Sequence, residues 1–259
     1  MQEQRQAAIE VRAMTMGYGA FVVLEDVSFT VERGAIFVVM GGSGCGKSTL
    51  LRHMIGLAEP IAGEVLFSGT SYTRADAAGR EAAARQFGVL FQSSALWSSM
   101  TLAENVGLPL EQFTPLAQPE IAEAATLKLA LVGLRGFEDY FPSEISGGMQ
   151  KRAGLARAMA LDPEVLFFDE PSAGLDPISS RLLDELILSL RDSLGATVVI
   201  VSHELPSILS IADDCVFLDT EVRTMSARGK PRELLASPPN QNVLRFLTRG
   251  RDREAGSSS

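Results

Sequence analysis

Two cysteines in 259 residues are too few for a disulfide framework, and Cys45 and Cys215 are not spaced as zinc ligands. No apolar run approaches the roughly 18–20 residues that a membrane-spanning helix needs. A basic surplus is also missing: Lys and Arg number 23 against 32 Asp and Glu, a formal net charge of −9. That balance argues against broad nucleic-acid binding, which needs cations to displace counterions. The start, Met1-Gln2-Glu3-Gln4-Arg5-Gln6, lacks the basic and apolar regions of a secretory signal, so the chain is expected in the cytosol. No internal repeat is visible. What remains is a chain with 46% hydrophobic residues, enough for the core of one large domain with a subdomain.

The most informative segment is Gly41-Gly42-Ser43-Gly44-Cys45-Gly46-Lys47-Ser48. Triphosphate oxygens need many donors at short range, and glycines let backbone N–H groups close around them. Lys47 adds a positive charge for the β- and γ-phosphates, and the Ser48 hydroxyl is suited to Mg²⁺. The context agrees. Ala35–Met40 reads as a buried parallel strand, and Thr49–Ile55 as a helix whose N-terminus faces the phosphates. A thiol at Cys45, beside Lys47 at a helix N-terminus, is expected to have a lowered pKa and to be shielded from thiol reagents by ATP. The plainer alternative is a small residue tolerated at a permissive position.

Around this loop the pattern is that of an α/β fold. Ile9–Arg12, Val22–Leu24 and Val27–Val31 are β-like, with Gly17, Gly19 and Gly34 as turn markers, which suggests a small N-terminal antiparallel layer. Gly63–Gly69 and Phe87–Phe91 read as further strands, Ala75–Gln86 as a helix. From Ser93 to Ser143 the β-patches vanish and Leu, Ala and Glu recur at helical spacing, the mark of an inserted helical subdomain. Strands return at Val165–Phe168 and Thr197–Val201, with a helix over Ser179–Leu194 between them, so a parallel sheet is expected. Residues 249–259, charged and then Ser-rich, read as a disordered tail.

Two further segments carry chemistry. The apolar strand Val165–Phe168 runs into Asp169-Glu170, adjacent carboxylates at a strand's carboxyl end where ligands collect. Asp169 is placed to hold Mg²⁺ through water, and Glu170 to polarise or deprotonate the attacking water. Ser146-Gly147-Gly148-Met149-Gln150 opens a helix with Ser146 as N-cap, a second anion site in the same chain. Two such ends are redundant for one nucleotide in a monomer. They make sense if two chains meet head to tail, each completing the other's site.

The chain resembles ATP-binding-cassette ATPases over nearly its whole length. The resemblance rests on Gly41–Ser48, Gln92, Ser146-Gly147-Gly148-Met149-Gln150, Phe167-Phe168-Asp169-Glu170-Pro171, Ser172-Ala173-Gly174-Leu175-Asp176, and His203 after Val201-Ser202. It implies an α/β P-loop NTPase cassette: a parallel-sheet core, an N-terminal antiparallel β-subdomain and an inserted α-helical subdomain. One nucleotide-binding domain would span 1–248, with the helical part at about 93–160.

By the same resemblance Tyr18 stacks on adenine, and Gly41, Gly42, Ser43, Gly44, Cys45, Gly46, Lys47, Ser48 and Thr49 hold ATP. Ser146, Gly147 and Gly148 reach the partner's nucleotide, Asp176 bridges the two chains, and His203 clamps the γ-phosphate. Ser48, Gln92 and Asp169 serve Mg²⁺, and Lys47, Gln92, Glu170 and His203 serve catalysis. Met149 stands where many members carry Gln, but the preceding Ser-Gly-Gly keeps the donors that matter.

Finer likeness at Leu90–Thr101, Glu104–Leu110, Val132–Gly136, Pro142–Glu144, Asp176–Ile178 and Leu209–Asp213 is to the Mla-type, MCE-associated branch. Members of that branch drive phospholipid movement between the membranes of diderm bacteria. The implied partners are a second copy, an integral-membrane permease, a small accessory cytoplasmic subunit and an MCE-type periplasmic protein, at the cytoplasmic face of the inner membrane. Importers for amino acids or betaine share parts of this likeness. A non-transport scaffold of the iron–sulfur-assembly type is a further alternative, since it can be a single cassette of this length; a soluble partner instead of a permease would reveal it. A DNA-repair cassette would need a long coiled-coil insertion, for which the chain has no room. Leu96, Trp97 and Met100, just after Gln92, suggest a groove for a permease helix; a core position for Trp97 is the alternative.

Overall fold

A long hairpin opens the computed structural model, which describes residues 7–19 and 21–249. Strands β1 (Ala7–Tyr18) and β2 (Phe21–Glu32) pair antiparallel along their lengths, with register shifts at bulges. The β-like patches 22–24 and 27–31 therefore belong to one strand. Gly17 lies inside β1, where a Cβ would come within 2.1 Å of the Phe21 carbonyl oxygen, so its role is close approach. The turn falls to Gly19, at φ +58°. Most of the expected tail, from residue 250 onward, lies outside the described residues.

The chain continues through β3 (Ile36–Gly41), α1 (Lys47–Met54), β4 (Ala62–Phe67), β5 (Thr70–Ser71), α2 (Ala77–Ala84) and β6 (Phe87–Leu90). Helix α1 starts at Lys47, inside the glycine loop. Helix α2 starts later than its composition suggests because Asp76 caps it, its carboxylate accepting from the Gly79 N–H. Helices α3 (Leu102–Phe113), α4 (Gln118–Leu131) and α5 (Gly147–Ala158) follow, with one 3-10 turn at Pro142–Glu144. Then come β7 (Val165–Asp169), α6 (Pro177–Leu194), β8 (Thr197–Ser202), α7 (Leu205–Ile211), β9 (Asp214–Asp219), β10 (Thr224–Gly229), α8 (Pro231–Ala236) and α9 (Gln241–Leu247).

Two sheets result. A four-stranded antiparallel sheet has the order β2-β1-β4-β5, and a six-stranded one the order β10-β9-β3-β8-β7-β6, parallel except where β10 runs against β9. The central strands β3, β8 and β7 are buried on both faces, and the alternation of their side chains divides the core. Phe37, Val39, Phe167, Val199 and Val201 pack with Leu50, Leu51 and Met54 of α1 and with the smaller sheet. Ile36, Val38, Leu166, Phe168, Val198 and Ile200 pack instead with Leu102, Val106, Leu155, Leu183 and Ile187 of the helices. Each such side chain contributes about 1.5–3 kcal/mol through burial.

The segment from β9 to α9 has the weakest sequence signal. Strand β9 offers only Cys215–Leu218 as an apolar run between two aspartates, and α8 and α9 span six and seven residues, too short to form without tertiary support.

Candidate active site

Strand register brings the site together. Met40 of β3 lies beside Ser202 of β8, Val201 of β8 beside Asp169 of β7, and Phe168 of β7 beside Leu90 of β6. The carboxyl ends of four neighbouring strands thus deliver the Gly41–Ser48 loop, His203, Asp169-Glu170 and Gln92 to one edge, where open α/β sheets bind ligands.

The loop leaves β3 with Gly41 at φ +155°, where a Cβ would sit 2.6 Å from both Cys45 Sγ and the Leu218 carbonyl oxygen. It enters α1 through Gly46 at φ +97°, where a Cβ would meet Val23 and Leu24 at 2.9 Å. No side chain caps α1 and no acid occupies its first turn, so its N–H groups stay available to an anion. Lys47 is buried, its Nζ donating to the carbonyl oxygens of Gly41 (3.0 Å) and Gly42 (3.1 Å) and lying 3.8 Å from Glu170 Oε1. The Ser48 hydroxyl donates to Asp169 Oδ1 at 2.9 Å.

Glu170 is 8% exposed and takes φ +48°, an uncommon conformation for a non-glycine residue, pinned by its N–H to the Val201 carbonyl oxygen at 2.9 Å. His203 Nδ1 approaches Glu170 Oε1 at 2.8 Å. A carboxylate only accepts, so Nδ1 carries the proton of this bond. Glu170 Oε2 is buried with no partner. A buried oxygen with a free lone pair beside a phosphate-binding loop is suited to receiving a proton from water. His203 Nε2 lies 3.6 Å from Glu204 Oε1, and a cleft of about 450 Å³ lined by Gly42, Ser43, His203, Glu204, Arg245 and Arg249 opens alongside.

Tyr18, at the end of β1, is exposed, and its hydroxyl lies 3.4 Å from Thr49 Oγ1. Gln92 is exposed just beyond β6. The N-terminus of α5 and Asp176 stand apart from this group. Ser146 Oγ accepts from the Met149 N–H at 3.3 Å, while Gly148 lies against Leu175 and Ser179. Asp176 caps α6, accepting from the N–H groups of Ile178 and Ser179, each at 3.0 Å, and from the Ser179 hydroxyl. Among the described residues no hydrogen bond joins Ser146, Gly147, Gly148 or Asp176 to the Gly41–Ser48 loop.

Cys45 corrects an expectation. Its thiol pKa is raised: burial outweighs the attraction of Lys47, and the residue is 2% exposed. Lys47 still pulls the thiol pKa down, but desolvation of the thiolate is the larger effect. Trp97 settles another alternative, since at 59% exposed it is not a core residue. One charged group beside the site has no distinct signal in the sequence. Lys151 reads there as one of two adjacent cations on a helix, yet it is buried, and its Nζ donates to the Gln92 carbonyl oxygen. Burial lowers its pKa, opposed by the negative charges of Asp169 and Glu170.

The residues present suit Mg²⁺. Ser48 and Asp169 meet as hard oxygen donors, with the amide oxygen of Gln92 a third of the same kind. Among the described residues no group of three or more His, Cys, Asp or Glu is arranged to hold a metal.

Comparison with known proteins gives a consistent result. A family model described as ABC transporter matches residues 24–173. The chain is 40% identical over 239 residues to the intermembrane phospholipid transport system ATP-binding protein MlaF of Escherichia coli K12, covering 92% of this chain and 88% of that one. It is also 40% identical over 240 residues to a protein of Mycobacterium tuberculosis named probable ribonucleotide transport ATP-binding protein mkl. That match covers 93% of this chain, which spans 66% of the mycobacterial relative's length. Among solved structures, the dimeric post-hydrolysis state of the cassette MJ0796 bound to ADP and Pi superposes with a TM-score of 0.77 at 27% identity, over 86% of this chain and 98% of that one.

Proposed function

The chain belongs to the ABC transporter family, and from that premise we propose that it is the ATP-hydrolysing subunit of a phospholipid transport system. The reading rests foremost on one observation: buried Glu170, with Oε2 unpartnered, beside Lys47 and His203 at the mouth of the glycine loop. The loop N–H groups and Lys47 bind the triphosphate, and Tyr18 offers its ring to adenine. Glu170 Oε2 takes the proton of the attacking water while His203 holds Oε1 and so fixes the carboxylate's orientation. Ser48, Asp169 and Gln92 would hold Mg²⁺, whose charge offsets that gathering on the β- and γ-oxygens.

Two chains acting together supply the rest. The N-terminus of α5, with Ser146, Gly147 and Gly148, and the neighbouring Asp176 turn serve the nucleotide of a second copy. The chain has no helix long and apolar enough to cross a membrane among its described residues, and it works through a separate integral-membrane permease at the cytoplasmic face of the inner membrane. A small accessory subunit and an MCE-type periplasmic protein complete the assembly. Phospholipid is preferred to ribonucleotide as cargo because the match to MlaF spans 88% of that relative, against 66% of the mycobacterial one.

The test uses the subunit with its co-purified permease in proteoliposomes containing a fluorescent phospholipid. Addition of Mg-ATP should move the lipid, and Glu170→Gln should slow hydrolysis by roughly 10²–10⁴-fold, the usual effect of losing a general base, while ATP binding persists. Lipid that stays in place while wild-type protein hydrolyses ATP would remove the cargo assignment. Hydrolysis by Glu170→Gln at the wild-type rate would remove the role given to Glu170.

A further inference from the structure

One face of α5 is pressed onto the loop that follows β6. Lys151 Nζ donates to the Gln92 carbonyl oxygen, and three residues on, a Cβ at Gly154 would lie 2.8 Å from Leu90 Cδ1 and 3.0 Å from the Ser94 carbonyl oxygen. Three residues further, Arg157 Nη1 donates to the Ala95 carbonyl oxygen. Positions 151, 154 and 157 recur at the spacing that keeps side chains on one side of a helix. The loop they grip is unusual: Ser94 and Ala95, neither a glycine, take φ +62° and +51°, and Ser94 is buried. Lys151 itself is 5% exposed. A buried ammonium on a lone carbonyl is costly unless counter-charge is near, and Asp169 and Glu170 supply it.

We propose that Lys151 and Arg157 are positioning residues that lock the Gln92 loop to α5. The helix end Ser146-Gly147-Gly148 and Gln92 then shift as one body when nucleotide is engaged. The inference rests on the roles given above to Gln92 and to the paired chains. It adds a mechanical link. Contact of the α5 N-terminus with the partner's nucleotide moves Gln92 at the chain's own Ser48-Asp169 pair, so neither site completes alone.

Trp97 gives a direct readout, being the chain's single tryptophan, exposed five residues beyond Gln92. Trp97 emission is recorded with and without Mg-ATP in a Glu170→Gln background, alone and combined with Lys151→Met or Lys151→Arg. Steady-state hydrolysis and its Mg²⁺ dependence are measured in the chain that keeps Glu170. Lys151→Met should bind ATP normally but lose most of the nucleotide-induced emission change. It should also lower kcat and raise the Mg²⁺ concentration for half-maximal rate, each by about 10–100-fold, as expected when a metal ligand's supporting contact is lost. Lys151→Arg, which still donates to the Gln92 carbonyl, should restore both signals.

Wild-type emission change and kinetics in Lys151→Met would overturn the lock, as would a Lys151→Arg variant that folds yet stays as impaired as the Met variant. If Lys151→Met does not fold, Lys151→Arg decides by itself: recovery of emission change and kcat supports the lock, their loss in a folded protein overturns it. Glu170→Gln separates the two layers. If it abolishes hydrolysis while Lys151→Met behaves as wild type, only the lock fails; if it hydrolyses normally, the reading of the site fails.

Discussion

Glu170 holds an uncommon backbone conformation, φ +48°, and buries an oxygen that no neighbour satisfies. Each feature disfavours the free protein, the conformation alone by about 1–3 kcal/mol. Both persist because the strands on either side fix them: the Glu170 N–H is bonded to Val201, and Oε1 is bonded to His203. On the proposed reading, this arrangement favours a bound ligand over the stability of the free protein. The cysteines are the opposite case. Burial raises the Cys45 pKa, and burial together with the charge of Asp214 pushes that of Cys215 up to about 12. Since the thiolate is the reactive form, neither should be alkylated at neutral pH in the folded protein, with or without ATP, and both should react after denaturation. Mass spectrometry of iodoacetamide-treated protein checks this. Labelling of native Cys45 that ATP suppresses would instead restore the reactive-thiol reading.

At the scale of elements, the loop between β6 and α3 is held from two sides. Helix α5 grips its first part. Beyond it the buried Asn105 side chain of α3 accepts from the Trp97 N–H at 2.7 Å and donates to the carbonyl oxygens of Trp97, Met100 and Thr101. The backbone is therefore fixed while the indole stays in solvent, with Leu96 and Met100 half-buried beside it. A large aromatic on a rigid support is the residue type that makes interface hot spots. Trp97→Ala should leave the melting temperature of the isolated subunit and its ATP affinity unchanged. It should weaken association with the permease by about 2 kcal/mol or more, read as loss of co-purification from detergent-solubilised membranes. Undiminished co-purification would remove Trp97 from the docking surface.

At the scale of the whole molecule, the architecture was most legible where chemistry and periodicity coincide. The strand before Gly41, the strand before Asp169 and the long α6 each pair a strong apolar pattern with a terminal motif, and all stand where their patterns put them. The pattern was weakest where tertiary contact alone decides. Strand β9 is a short apolar run, yet it pairs with β3 beside the glycine loop and carries β10 at the sheet's edge. Cys45 was misread because its charge environment is visible in sequence and its burial is not. Lys151 was missed for the same reason: a lysine on a helix gives no sign of which carbonyl it meets.

The central claim is that one chain carries two halves of different nucleotide sites, and ATP completes them by pairing two copies. Sedimentation velocity on purified Glu170→Gln tests it most directly, run without nucleotide, with Mg-ADP and with Mg-ATP. The account predicts a shift from monomer to dimer with Mg-ATP, and no such shift when Gly148→Asp is added to place a negative charge on the α5 N-terminus. A protein that binds ATP and still sediments as a monomer at every nucleotide concentration would contradict it.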